Sequence, residues 1–381
     1  MSSVSVTVVI VAYNSLPELR RSVPALLTEL QPQDELIVVD NASTDGLVDE
    51  IGRFAPGARV RVLWHNVGFA GGVNAGAADA HGDLLVLLNP DAVVERGWGE
   101  AIRCPWGGRF AAWMGLVLLD GGDRINTSGG VLHFTGLGWA GQVGEPVSAA
   151  PPETCEVGFL SGACLAIPRE LWLELGGFPE GFFMYCEDVD LSLRVRLLGC
   201  SLAVVPGARV DHAYEFLRSE SKWRLLERNR WATVLRTYPA PLLVLVLPAL
   251  LATEVAVWAV AARRGWLRAK AQATVGLLRG LPGILQERRT IQSQRRIGPI
   301  AFPKPLTATL SSPYFGRIGR HPAVQLSMRI YWWWALRVLT RVEASRAKRP
   351  SARSELRLPP VDLHEPLRRP PTAVRPGVRE S

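Results

Sequence analysis

Apolar runs punctuate the first hundred residues, spaced so that a helix fits between each pair. Val6 to Val11 is β-branched at every position, which predicts a strand buried on both faces. Leu16 to Leu30 has helical spacing, with Leu19, Val23, Leu26, Leu27 and Leu30 on one face. Glu35 to Asp40 predicts a second buried strand, ending in a carboxylate, and Val60 to Leu63 a short third. Gly71 to Ala80 predicts a helix of small residues, and Leu84 to Leu88 a fourth strand that runs into Asn89-Pro90-Asp91. Strands alternating with helices in this way predict a doubly wound, mostly parallel sheet flanked by helices. Ligands of such sheets bind beyond the carboxyl ends of the strands, where Asn14, Asp40, Asn41 and Asp91 fall.

The pattern loosens after this. Residues 104–160 are rich in Gly and Pro with short β runs, and predict a loop and hairpin region. A small-residue strand over Gly158 to Ile167, a helix over Pro168 to Leu175, a helix over Glu187 to Leu198 and a strand over Leu202 to Val205 follow. Up to Arg236 the chain reads as one α/β domain, residues 1–236. Composition then changes. Ala240 to Ala262 carries one charge, Glu254, and the stretch beyond it to Ile300 holds nine Arg and Lys against Glu287 alone. Another apolar patch surrounds Tyr331-Trp332-Trp333-Trp334 between arginines. Residues 237–347 are therefore expected to form a helical, basic, membrane-associated region. The Pro- and Arg-rich tail, 348–381, is expected to be disordered.

The formal charge is +8 and the pI near 9.6, which call for an anionic partner. The concentration of that charge beside an apolar helix points to anionic lipid and away from nucleic acid, for which no motif is present. Residues 241–262 are long enough to span a bilayer, which takes roughly 20 residues. Pro248 and Glu254 interrupt them, so the expectation is a helix lying in the interface, anchored by Trp258, Trp266 and the arginines. The start of the chain has no basic segment leading into an apolar run, so no secretory signal is expected. Five cysteines, none in CxxC spacing, support neither zinc nor a disulfide framework and suggest a reducing compartment.

Four segments carry candidate chemistry. Val38-Val39-Asp40-Asn41-Ala42-Ser43-Thr44-Asp45-Gly46 delivers a carboxylate at a strand end, able to accept hydrogen bonds from a base or ribose, or simply to cap a turn. Asn66-Val67-Gly68-Phe69-Ala70-Gly71-Gly72-Val73-Asn74-Ala75-Gly76 would let backbone approach a ligand and direct a helix N-terminus at phosphate. It is neither a Walker loop nor a dinucleotide fingerprint. Leu87-Leu88-Asn89-Pro90-Asp91 offers a hard oxygen ligand for Mg2+ or Mn2+. Last, Gly176-Gly177-Phe178-Pro179-Glu180-Gly181-Phe182-Phe183-Met184-Tyr185-Cys186-Glu187-Asp188-Val189-Asp190 opens a helix with three acids after an aromatic run. One of these acids could take a proton from an attacking hydroxyl, while Asp190 would brace the helix.

Taken with Ser161-Gly162-Ala163-Cys164-Leu165-Ala166-Ile167-Pro168-Arg169-Glu170, these segments in this order resemble glycosyltransferase family 2 over residues 4–236. The resemblance implies the GT-A fold and an inverting, metal-dependent transfer of a sugar from a nucleotide diphosphate. It implies that Asp40 contacts the nucleobase, that Asp91 and His212 bind Mg2+ or Mn2+, and that Asp188 is the general base. Asn89 stands where a strict DxD element has its first Asp. The donor site is expected to draw on Tyr13, Asn14, Asp40, Asn41, Asn66, Gly68, Asn89 and Asp91. Within the family the sequence is most similar to the bacterial rhamnosyltransferase-like branch, through Glu227-Arg228-Asn229-Arg230. That likeness implies L-rhamnose from dTDP-rhamnose as donor, a lipid-linked or polysaccharide acceptor met by Glu187, Arg228 and Arg230, and a place on the cytoplasmic face of the plasma membrane. Galactofuranosyl, N-acetylglucosaminyl and mannosyl transfer remain open alternatives, as does a degenerate domain acting as a membrane scaffold.

Overall fold

The computed structural model describes residues 4–119, 121–212, 220–311 and 321–347; the tail expected from Lys348 onward lies outside them. Four apolar runs build the parallel half of the main sheet: β1 (Val6–Ala12), β2 (Glu35–Asp40), β3 (Arg59–Val62) and β4 (Leu84–Leu88). They lie side by side in the order β3-β2-β1-β4, with Ala12 level with Asp40 and Asp40 level with Val62. Three helices connect them: α1 (Leu16–Glu29), α2 (Leu47–Phe54) and α3 (Gly68–Ala78). α3 starts earlier than the small-residue run predicts, because Gly68 itself, at φ +77°, opens it.

The rest of the sheet comes from β5 (Ala92–Val94), α4 (Trp98–Arg103), β6 (Phe110–Leu119), β7 (Ile125–Thr127), β8 (Gly130–His133), β9 (Gly138–Ala140), β10 (Cys155–Glu156) and β11 (Cys164–Pro168), then α5 (Arg169–Leu175), α6 (Glu187–Leu197) and β12 (Ser201–His212). Ten strands share one sheet whose path is β10-β12-β6-β11-β4-β1-β2-β3. β11 runs antiparallel to both β4 and β6, while β12 and β6 are parallel, so one reversed strand joins two parallel blocks. The expected loop region over 104–160 is corrected here: Phe110–Leu119 is a ten-residue strand through the core. Gly115 sits where a Cβ would lie 2.4 Å from the Ala208 carbonyl oxygen, so the glycine is what lets β6 and β12 close up. The strand predicted over Gly158 to Ile167 is shorter, Cys164–Pro168, and the residues before it form a turn instead.

Beyond the sheet the chain is helical: α7 (Glu220–Thr237), α8 (Ala240–Arg264), α9 (Leu267–Gln294) and α10 (Pro322–Ala347), with a short strand β13 (Leu306–Thr307) between the last two. β13 pairs with β8 and completes a small sheet, β13-β8-β9. A second hydrophobic core welds these helices to the sheet domain. Leu132, Phe134, Val189, Leu193 and Leu197 pack there with Tyr238, Leu242, Leu250, Trp332 and Ala335. The Trp332 ring stacks on Phe134 with centroids 4.8 Å apart.

Candidate functional site

The carboxyl ends of β1, β2 and β4 meet at one edge. Asp40 closes β2 and is 3% exposed; its Oδ1 accepts the Ser43 amide at 3.0 Å, so it caps the turn as well as facing the edge. Asn14, in the left-handed region at φ 51°, ties the loop after β1 to the loop after β2, accepting the Thr44 amide at 2.8 Å. Tyr13 is half exposed at the end of β1. Trp64, two residues beyond β3, is 97% exposed. Its neighbour Leu63 donates its amide to the Asp40 carbonyl at 2.8 Å, so the strands on either side of Asp40 lead on into Tyr13 and Trp64. Trp64 was not among the expected site residues; nothing in its local sequence marks it, and only the strand order brings it there.

Asn41 and Asn66 do different work from that expected. Asn41 is buried; its amide reaches Asn66 Oδ1 at 3.0 Å and the Gly68 carbonyl at 3.1 Å, and its Oδ1 accepts the Val67 amide. Asn66 Oδ1 also accepts the Gly68 amide. The two brace the turn into α3 rather than opening toward a ligand. The glycines of α3 likewise serve packing. Gly76 faces Val9 and Val39, where a Cβ would stand 2.5 Å from a Val9 methyl, so α3 lies directly on β1 and β2.

Asn89, Asp91 and His212 converge. His212 ends β12, where it pairs with Ala92 of β5, and its Nε2 lies 3.1 Å from Asp91 Oδ1 and 3.0 Å from the Asn89 carboxamide. A single ring nitrogen cannot accept from an amide and donate to a carboxylate at once. A carboxylate and an imidazole nitrogen, both of them ligand types for a divalent cation, thus stand side by side. Cis ligands of an octahedral ion with bonds near 2.1 Å stand roughly 3 Å apart, which is the spacing found. Among the described residues no group of three or more His, Cys, Asp or Glu side chains is placed to hold a metal. Asp91 and His212 could hold a cation that takes its remaining ligands from outside these side chains.

Glu187 and Asp188 open α6. Asp188 accepts the Gly162 amide at 3.1 Å on one oxygen and the Val189 amide at 2.7 Å on the other. Burial raises its carboxyl above the usual range, and those amides pull it back. Glu187 is 5% exposed, with Oε2 buried and lacking a hydrogen-bond partner. Burial, then the charge of Asp188, pushes it well above the usual carboxylate range. Asp190 braces the helix as expected, paired with Arg194 at 2.7 Å and Arg236 at 3.1 Å. The turn before β11 links the two halves of the site: the Asn89 amide donates to the Ala163 carbonyl at 3.1 Å, and the adjoining Gly162 amide holds Asp188.

The two arginines expected at an acceptor are committed elsewhere. Arg230 is 5% exposed and pairs with Glu227 and Glu254, each at 2.9 Å. Lys270 is 1% exposed and joins the same cluster at 2.6 Å from both acids. Its charge is thus internal, a correction to its inclusion in the lipid-facing basic stretch. Arg228 donates to the carbonyls of Gly181 and Phe182 at 2.7 and 2.9 Å. Anion binding by Arg230 would need a charge the cluster has already neutralised.

Residues 7–103 match the family model described as glycosyl transferase family 2, and residues 152–233 match the one described as glycosyltransferase like family 2. The chain belongs to glycosyltransferase family 2. This transferase is 29% identical to the N-acetylglucosaminyl-diphospho-decaprenol L-rhamnosyltransferase of Mycobacterium tuberculosis over 236 residues, 54% of this chain and 75% of that protein. It is 32% identical over 75 residues to rhamnosyltransferase WbbL of Escherichia coli, 20% of this chain and 27% of that protein. Among solved structures it is similar to GalNAc-T7, crystallised with UDP, GalNAc and Mn2+, at 20% identity and a TM-score of 0.53, over 63% of this chain and 49% of that one. That likeness is one of fold, and it is the GT-A-like arrangement expected from the sequence.

Proposed function

We propose that this transferase moves L-rhamnose from dTDP-rhamnose onto a lipid-linked sugar at a membrane surface, with inversion and with Mg2+ or Mn2+. The observation that carries the reading is the short link Asn89–Ala163–Gly162–Asp188. Its two hydrogen bonds join the loop that carries Asp91 to the carboxylate of Asp188, which supports a base and a cation pair acting together. Asp40 would contact the base, with Tyr13 and Trp64 exposed beyond the strands on either side of it. Asp91 and His212 would hold the cation, which when bound offsets charge on the departing diphosphate. Asp188 would take the proton of the attacking hydroxyl; its raised affinity for a proton suits a base working near neutral pH. Rhamnose rests on the names of the relatives from Mycobacterium tuberculosis and Escherichia coli, and the lipid diphosphate acceptor on the first of them.

The helical extension supports the membrane. α8 is long and apolar enough to cross a bilayer. Glu254 turns inward to Lys270 and Arg230, so the outer stripe of Val244, Leu247, Leu251 and Val255 is free of charge. Trp333, Trp334 and Ile330 of α10 are exposed as well, with Arg337 lying over Trp333 at 4.1 Å. A bundle with this outer face fits a position in the interface of the cytoplasmic leaflet, where anionic lipid meets exposed Arg263, Arg264 and Arg268.

The test is binding and turnover of a panel of nucleotide sugars with Mn2+, with Mg2+ and with chelator. The expected result is metal-dependent binding of dTDP-rhamnose, weakened by Asp91→Ala. Asp188→Asn should still bind it, but with turnover lower by about 10²–10⁴-fold. Binding of another donor alone would replace rhamnose, and binding of none would end the transferase reading in favour of a scaffold.

A further inference from the structure

The segment that leads into Glu187 and Asp188 has an unusual backbone. Phe183, Tyr185 and Cys186 all have positive φ, at 66°, 71° and 68°. Phe183, with ψ −62°, is the centre of a γ-turn closed by the Met184 amide on the Phe182 carbonyl at 2.8 Å. Residues with side chains disfavour this region, and each such placement costs roughly 1–3 kcal/mol unless its surroundings hold it.

Two elements hold it. From one side α3 closes on it: the Ala70 amide donates to the Phe183 carbonyl at 3.0 Å, and a Cβ on Gly68 would stand 2.3 Å from that same oxygen. From the other side comes Asn229 of α7, which is fully buried. Its Nδ2 lies 3.0, 2.9 and 2.8 Å from the carbonyl oxygens of Phe182, Met184 and Tyr185. An amide nitrogen carries two protons, so the three carbonyls share two donors at this one nitrogen. Arg228 adds the carbonyls of Gly181 and Phe182 and steadies Asn229 through Oδ1 at 2.9 Å.

From this geometry we infer that Asn229 is a positioning residue for the reaction: its side chain gathers the carbonyls of residues 182, 184 and 185 and so sets where α6 begins and where Asp188 stands. Arg228, expected with Arg230 at the acceptor, acts instead beside Asn229 on the carbonyls of Gly181 and Phe182. Arg230 and Glu227 on the same turns of α7 anchor that helix to α8 and α9. The loop's shape is thereby tied to the helical extension.

The inference rests on Asp188 as the base, so its test has one readout that needs no substrate. In the full chain, Asn229→Ala and the near-isosteric Asn229→Asp, which turns an oxygen on the three carbonyls, are compared with wild type by hydrogen exchange. The expected result is exchange faster by about tenfold or more across residues 181–190, with β1 and β4 unchanged. With the donor found active, kcat should fall by roughly 10²-fold, as expected for a base displaced by about 1 Å, while affinity for dTDP with Mn2+ stays within about twofold. The acidic limb of the kcat profile should also move to lower pH as the loop admits water. If Asn229→Ala fails to fold, Arg228→Lys, at the half-buried rim, should give a weaker form of the same pattern. Unchanged exchange over 181–190, or kcat and nucleotide affinity falling together, would overturn the inference. An inactive wild type with the exchange pattern intact would count against the transferase reading and leave the strap standing.

Discussion

At the scale of single residues, the pair Glu187–Asp188 shows how one helix start can raise two carboxyls to different degrees. Both are raised by burial, but Asp188 has amide donors that favour its charged form, and Glu187 Oε2 has none. A carboxyl raised in the folded state binds a proton that the unfolded chain has already released. Its burial therefore subtracts stability as pH rises above 4.5, the ordinary glutamate value. Glu35 and Glu227 act in the opposite sense but below that point. Despite burial, Thr7 and its neighbours draw Glu35 to about 2, and Arg230 and Lys270 draw Glu227 to about 2. His133, lowered to about 4 by burial, also favours folding as pH rises toward 6.5. The difference between a variant and wild type isolates Glu187. Glu187→Gln should gain thermal stability relative to wild type, by more at pH 8 than at pH 5, in parallel melting curves. A constant or shrinking difference would show that Glu187 is ionised without penalty.

At the scale of elements, the ring of Glu227, Arg230, Glu254 and Lys270 pins α7, α8 and α9 together with charges that sum to zero. Removing one member of a buried set strands its partners and typically costs about 3–5 kcal/mol. Lys270→Met should lower the unfolding free energy by about that much, and adding Glu227→Gln should recover part of it. Additive losses in the double variant would show the ring is not coupled. None of this was legible in the sequence: Arg230 read as an acceptor-binding group, because Glu254 and Lys270, which complete its ring, lie in later helices. Where the pattern was local it read well. Glu35–Asp40 and Leu84–Leu88 stand with the predicted ends, since strands buried on both faces leave continuous apolar runs. Phe110–Leu119 carries such a run too, but the glycines around it and Gly115 within it spoke for a loop. The carboxylates of the site were legible as strand ends and a helix start. The bracing roles of Asn41, Asn66 and Asn229 were not, since a carboxamide that holds backbone looks the same in sequence as one that holds a ligand.

At the scale of the whole molecule, polarity is arranged by face. The sheet's carboxyl edge carries Asp40 and Asp91, while α8 and α10 turn apolar stripes outward next to arginines. In flotation with vesicles the protein should bind phosphatidylglycerol-containing membranes better than neutral ones, and less as salt rises. Val244→Asp with Val255→Asp should abolish flotation and leave nucleotide binding intact. Equal binding by that variant would place the contact elsewhere.

The pairing of β13 with β8 has a consequence for how the molecule is made. The helix that carries Asp188 rests Val189, Leu193 and Leu197 on a core whose other half arrives with Leu242, Leu250, Leu306 and Trp332. A ribosome finishes every residue of the sheet's carboxyl edge long before it releases that half. During synthesis the edge is complete in sequence but unsupported in space, and a gene cut after residue 236 would freeze the chain in that state. Expression of the chain through α10 is what this topology asks of anyone preparing the protein.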